Sequence, residues 1–206
     1  KRYYDLPAIK KEANMYAKWQ HSWATNFTSY IDLQYRNVSH RMDGFHNNPT
    51  LNINRSFGFF NPKIGYQYNK NGWVHYASYA IGQKEPNRDD FEAGAATQPN
   101  PERLQDLEIG LEKRNKKTNW SANFYYMRYK DQLVLTGKIN DVGAYTRMNV
   151  PNSYRLGIEL MHTTILTSKL QLSSNVTLSR NKIKSFTEFI DNYDTGGQDA
   201  ITRNNT

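Results

Sequence analysis

Glu102-Arg103-Leu104-Gln105-Asp106-Leu107-Glu108-Ile109-Gly110-Leu111-Glu112-Lys113-Arg114 is the stretch that decides the fold. Leu107, Ile109 and Leu111 alternate with Asp106, Glu108, Gly110 and Glu112. A period of two places the apolar set on one side of an extended chain and the carboxylates on the other, whereas a helix needs apolar residues three and four apart. The run ends on the short polar turn Asn115-Lys116-Lys117-Thr118, and the alternation restarts at Asn119. There Trp120, Ala122, Phe124 and Tyr126 oppose Ser121, Asn123 and Tyr125, up to about Lys130. The two runs read as one antiparallel hairpin.

The same unit recurs outward in both directions. Upstream, Ile64, Tyr66 and Tyr68 alternate with Lys63, Gly65 and Gln67 between Pro62 and Asn69. Asn71-Gly72 suits a tight turn that needs positive φ, and Trp73 to Ile81 is the return strand. Phe27 to Arg41 is a clear strand, with Ile31, Leu33 and Tyr35 against Asp32, Gln34 and Arg36; Ala13 to Ser22 reads as another, after a loop-like first dozen residues. Downstream, Tyr154, Leu156, Ile158 and Leu160 alternate with Arg155, Gly157 and Glu159, and Leu170 to Ser179 returns after the turn at 166–169. Long polar segments at roughly 82–101, 131–152 and 181–206 read as loops. So does Met42–Arg55, while Leu133-Val134-Leu135-Thr136 reads as a strand extension. A propeller of similar period would need four strands per repeat, and only two fit.

Hairpins with short turns at one end and long loops at the other have the asymmetry of a transmembrane β-barrel. Several runs reach 10–13 residues, against about 5–6 in globular sheets, and tilted strands of that length cross a bilayer. Only 37% of the 206 residues are hydrophobic, yet 14% are aromatic, a combination that argues against disorder and suits a sheet with one wet face. No apolar run is long enough for a membrane-spanning helix. With no cysteine, disulfides and thiolate metal sites are excluded. The net charge of +8 is scattered, densest at Arg114 and Lys116-Lys117, and reads as solvated charge. A soluble basic β-protein that binds nucleic acid by stacking and phosphate contacts is the competing reading, and a non-transporting surface barrel is a third.

Several runs resemble barrel strands of TonB-dependent outer-membrane receptors. They are Phe60-Asn61-Pro62-Lys63-Ile64-Gly65, Tyr76-Ala77-Ser78-Tyr79-Ala80 and Lys84-Glu85-Pro86-Asn87-Arg88-Asp89-Asp90-Phe91. Pro101-Glu102-Arg103-Leu104 with Glu108-Ile109-Gly110-Leu111-Glu112 continues the likeness, as do Asn123-Phe124-Tyr125-Tyr126-Met127 and Asn152-Ser153-Tyr154-Arg155-Leu156-Gly157-Ile158-Glu159. The style is most similar to receptors of Bacteroidetes-type bacteria, over about residues 12–195. The resemblance implies an all-β chain of antiparallel hairpins, supplying about 8 strands of a barrel of about 22 that encloses a plug. It implies residence in the outer membrane of a Gram-negative bacterium, among outer-membrane lipid, and uptake of a scarce nutrient. A ferric siderophore or related iron chelate is the first expectation, with the TonB complex acting through a plug. Residues 1–206 show neither a plug nor a TonB box and end at Asn204-Asn205-Thr206 without a terminal aromatic. They are expected to be one partial barrel domain, inactive alone, with the Asn71-Gly72 end toward the periplasm.

No catalytic residue, cofactor or metal site is expected, and no nucleic-acid partner follows from the resemblance. His21, His40, His46, His75 and His162 lack metal-site spacing, and Asp191, Asp194 and Asp199 around Gly196-Gly197 do not match a calcium loop. Asp89, Asp90 and Glu92 beside Arg88 are expected in turn or ion-pair roles rather than as paired acids for hydrolysis. Ligand recognition is expected on the long loops, because loops on a rigid scaffold carry binding. Arg88, Tyr145 and Arg147 are the candidates for an anionic, aromatic ligand, since the guanidinium fork fits carboxylate or catecholate oxygens. Packing or pairing of these residues within the loops is the alternative.

Overall fold

The computed structural model describes residues 6–46, 48–93, 98–139 and 145–206. Eight strands follow one another in chain order, each antiparallel to the next. They are β1 (Ala8–Ala24), β2 (Phe27–Asp43), β3 (Asn52–Lys70), β4 (Trp73–Lys84), β5 (Glu102–Arg114), β6 (Thr118–Ile139), β7 (Tyr145–Thr167) and β8 (Leu170–Ile183). A short helix, α1 (Arg88–Ala93), lies between β4 and β5, and a separate hairpin, β9 (Ser185–Asn192) and β10 (Gly197–Asn204), follows β8. β1 and β8 each have one unpaired edge among the described residues.

Residues directly opposite across a ladder share a face of the sheet. Trp19, Ile31, Ile64, Tyr79, Leu107, Tyr126 and Leu156 therefore form one transverse row. The row beside it, on the other face, is Lys18, Asp32, Lys63, Ala80, Asp106, Met127, Arg155 and Asn181. Periodicity does not say which face meets bulk water. Exposure does: Ile64 is 53% exposed, Ile158 45% and Leu178 66%, and a contiguous apolar face of this extent is lipid-facing rather than water-facing. The charged face is the lumen side.

On that side three tyrosines lie flat over glycines directly opposite them: Tyr30 over Gly65, Tyr76 over Gly110 and Tyr125 over Gly157. A Cβ at Gly65 or Gly157 would fall 2.6 Å from the tyrosine hydroxyl, and one at Gly110 would overlap the Tyr76 ring. The absent side chain is what lets each ring cross the ladder; Tyr76 Oη thereby donates to Asn123 Oδ1 at 3.1 Å, two strands away.

Asn71 and Gly72 have φ of 52° and 76° between the paired Lys70 and Trp73, the geometry of a type I′ turn. Thr25-Asn26 closes a second two-residue turn where the sequence showed only a break. The long-loop end departs more from expectation. The segments read as loops at 131–152 and 42–55 are largely strand: β6 and β7 pair from Lys130 and Asn152 out to Ile139 and Tyr145, and β2 and β3 pair out to Asp43 and Asn52. Residues 8–12 belong to β1. Polar side chains such as Asn52 and Asn54 hide the alternation in these extensions.

The tail from Ser185 also departs from its loop-like reading, being the hairpin β9–β10. It docks on the far end of β6 through Gln198, whose amide donates to Gly137 O at 2.8 Å and accepts from Ile139 N at 3.0 Å. Those are the backbone groups that a neighbouring strand would satisfy, left free where the β6–β7 register shifts between Leu135 and Ile139. Asp191 and Asp199 spend their carboxylates inside this hairpin, accepting from Gln198 Nε2 at 2.8 Å and Asn192 Nδ2 at 2.9 Å.

Candidate functional site

The polar face is not uniformly wet. Toward the long-loop end it carries a cluster of Val38 and Met42 from β2, Ile53, Phe57 and Phe59 from β3, Phe45 from the connection between them, and Phe91 from α1. Phe91 is fully buried although α1 is only six residues long. Burying a phenylalanine contributes about 2 kcal/mol, so Phe91 anchors the β4–β5 loop to the wall of β2 and β3.

Local chemistry shapes the loop for this. Asn87 caps α1: its Oδ1 accepts from Asp90 N at 2.9 Å, and Asp90 Oδ2 accepts from Asn87 N at 2.8 Å. This reciprocal exchange satisfies two donors that a helix start leaves free. Pro86, fully buried before the cap, fixes the entry of the chain. From the sequence only turn or ion-pair roles are expected for Asp89, Asp90 and Glu92; neither the cap nor the direction in which Phe91 points is read from it.

Two ion-pair sets hold the loop from opposite sides. On one side Arg36 of β2 bridges two carboxylates. Its Nε and NH2 donate to Glu12 of β1 at 2.7 and 3.1 Å. Its NH1 and NH2 donate to Glu85 at 2.7 and 2.9 Å. Lys10 Nζ donates to Glu85 as well, at 2.9 Å. On the other side Arg147 of β7 meets Asp90 of α1 in a fork, Nε to Oδ1 at 2.7 Å and NH2 to Oδ2 at 3.0 Å. Asp90 is 3% exposed, so this pair works at low local dielectric, where charge-assisted bonds are strongest. Asn149 of β7 adds a reciprocal pair with the backbone of Asn100.

Glu85 lies beyond the end of β4, outside the membrane-spanning part. Burial pushes its carboxyl up, but the hydrogen bonds from Arg36 and Lys10 prevail and hold it down to about 2. A carboxyl depressed below its unfolded value of about 4.3 adds stability above that pH and loses it as pH falls through the folded value. The stability gap between the intact receptor and a Glu85→Gln variant should therefore be widest above about pH 5 and narrow steadily toward about pH 2. Thermal unfolding of both in detergent across that range reads it; a gap independent of pH would show that the ionised carboxylate is not what holds the loop.

The structure links two of the three sequence candidates through one helix. Arg88 opens α1, stacks over Phe45 at 5.1 Å and lines a cavity of about 400 Å³ with Lys10, His40, Glu85 and Asn87. Arg147 reaches the same helix from β7 by its pair with Asp90. Tyr145 opens β7, its backbone opposite Ile139 of β6. The expected turn and ion-pair role holds for Asp90. Lys10, Glu12, Arg36 and Glu85 were not singled out in the sequence, because they come from two strands and a loop brought together only by the fold. The one available signal was Arg36, a cation on the lumen side of an alternating strand. Among the described residues no group of three or more His, Asp or Glu is placed to hold a metal ion.

Comparison with known proteins gives this geometry a context. The family model described as TonB dependent receptor-like, beta-barrel matches residues 3–205. No curated protein sequence matches the chain. Among solved structures, the copper transporter OprC superposes with a TM-score of 0.75 at 16% identity, over 85% of this chain and 29% of its own. The FrpB iron transporter from Neisseria meningitidis (F3-3 variant) gives 0.66 at 18%, over 87% and 27%. The alcaligin outer-membrane receptor FauA from Bordetella pertussis gives 0.63 at 16%, over 86% and 31%. At these identities the likeness shows the fold, and the chain spans less than a third of each structure's length.

Proposed function

We propose, for a chain that belongs to the TonB-dependent receptor β-barrel family, that it supplies wall and outer-loop surface to an importer of a scarce nutrient. Proteins of this family lie in the outer membrane of Gram-negative bacteria, and the exposed apolar face described above is suited to lipid. The ligand in this proposal is an iron chelate such as a ferric siderophore. The supporting observation is the clamped β4–β5 loop, which sets Arg88 at the rim of a cavity on the lumen side. Proteins of the same fold that are a copper transporter, an iron transporter and an alcaligin receptor agree with a metal or metal-chelate ligand. Energy would come from the TonB complex through a plug that residues 1–206 do not contain.

In this reading the tight turns face the periplasm and the α1 loop faces outward. Arg88 and Arg147 act in sequence: Arg88 meets the anionic ligand, and Arg147 holds α1 in place by pairing with Asp90. Tyr145 stays a candidate contact at the start of β7. The lipid-facing apolar rows disfavour a soluble protein that binds nucleic acid. A strain deleted for the whole receptor, grown with single iron, copper, cobalamin or glycan sources, tests the ligand class. A defect confined to one iron chelate, restored by the wild-type receptor and not by an Arg88→Ala form, is the expected result. Normal growth on every iron chelate would overturn the iron reading.

A further inference from the structure

We propose that the lipid-side cations at the long-loop end of β5 to β8 form a binding site for a phosphorylated lipid of the surrounding leaflet. Arg103 of β5, Arg128 and Lys130 of β6, and Lys182 of β8 are placed by register on the same face as the apolar rows. Lys184, whose N donates to Asn152 O, continues that set just past β8. Arg128 lies ten residues above Thr118, where β6 leaves its tight turn. At a tilt of about 40° that is roughly 26 Å along the barrel axis, the height at which an apolar band of about 25 Å gives way to headgroups.

The arrangement is unfavourable without an anion. Arg103 and Lys130 are direct cross-strand partners, and like charges facing one another destabilise a sheet. None of the five cations has an ion pair with a described acidic residue. This contrasts with Arg36 and Arg147 on the lumen face, both of which are saturated by carboxylates. The outward positions beside them on these strands are Gln105, Asn152 and Tyr154, with no acid among them.

Shape agrees with charge. Two adjoining depressions, of about 360 and 200 Å³, share Arg128 and Asn152; the first also holds Lys182 and Lys184, the second Arg103 and Lys130. Tyr126 and Tyr154, with ring centroids 6.3 Å apart, line the first depression; Tyr126 is level with Leu156, a row that Arg180 of β8 joins as a further cation, and Ile158 and Leu178 lie in the apolar row below. A phosphate in the upper part and acyl chains along the apolar rows below complete one amphipathic ligand, which free phosphate would not. Basic pockets at the membrane boundary bind lipid headgroups by this combination, each cation near the surface contributing about 1 kcal/mol.

The test uses the intact receptor in detergent, with diphosphoryl lipid A, monophosphoryl lipid A and phosphatidylcholine as probes and native mass spectrometry to count the lipid retained. The wild type should retain the diphosphoryl lipid best, the monophosphoryl lipid less and phosphatidylcholine least, and excess inorganic phosphate should not displace it. Arg128→Gln/Lys130→Gln/Lys182→Gln/Lys184→Gln should weaken retention about tenfold or more, and Lys130→Gln alone about fivefold. Heat-modified gel mobility checks that each variant is folded. Equal retention by a folded variant, equal retention of phosphatidylcholine by the wild type, or displacement by inorganic phosphate would each overturn the proposal.

Discussion

Gly110→Val should lower the stability of the intact receptor's barrel by about 3 kcal/mol. The Tyr76 ring occupies the space a Cβ would take. Backbone of a central strand cannot retreat, because Gly110 is paired on both sides, with Tyr76 in β4 and Asn123 in β6. The ring must leave, and its hydrogen bond to Asn123 Oδ1 goes with it; a lost bond of this kind costs about 1 kcal/mol. Urea unfolding in lipid vesicles, followed by tryptophan fluorescence, measures the loss. The double variant Gly110→Val/Tyr76→Ala should recover part of it, since direct neighbours are non-additive. Simple additivity of the two substitutions would contradict the close approach of ring and glycine.

Arg36→Met should release the β4–β5 loop. Arg36 is the shared partner of Glu12 and Glu85, and Glu85 is 7% exposed. Removing one side of a buried pair typically costs about 3–5 kcal/mol, because the charge left behind is desolvated and unpaired. Lys10, half-exposed, is a weak substitute. The cost is relieved locally if the loop lifts, so the variant is expected to keep its strands while residues 85–93 lose amide protection about tenfold or more. Hydrogen exchange on the intact receptor at pH 7 reads this segment by segment. Arg41→Met is the control: its pair with Asp43 is exposed on both sides and contributes near nothing. Unchanged protection at 85–93 in Arg36→Met would contradict the latch.

The alternation at Glu102–Arg114 was enough to read the sheet, because there one face meets lipid and the other water, and residue types separate cleanly. The same logic explains the failures. In the segment read as loop, the strand ends at 42–43 and 52–55 carry Met42 and Ile53 on the lumen side, packed in one cluster with Phe91, while Asp43, Asn52 and Asn54 lie on the opposite side. The hydrophobic sense of the strand is inverted relative to the membrane segment, so the pattern dissolves into an apparent loop. In residues 185–204 the apolar Phe186, Ile190 and Ile201 are interleaved with Glu188, Asp199 and Arg203 on one face of the hairpin, and its docking on β6 uses Gln198 at a register shift that no local pattern marks. The candidate site was legible only in part. Arg88 and Asp90 stood out in the loop by their sequence neighbourhood, and Arg147 by its charge. The pairing of Arg147 with Asp90 joins residues 57 positions apart, and the Arg36–Glu85 pair spans 49; no local pattern encodes such distances.

The central claim is that one face of this sheet meets lipid and the other a hydrated lumen. Residues 1–206 contain no cysteine, so in the intact receptor, with any cysteine elsewhere replaced by serine, single cysteines can be placed along β6 from Ser121 to Met127 and spin-labelled in lipid vesicles. Labels at 122, 124 and 126 should collide with oxygen, and labels at 121, 123, 125 and 127 with a water-soluble nickel complex, alternating residue by residue. Uniform access to the nickel complex, or a period near 3.6, would contradict the account.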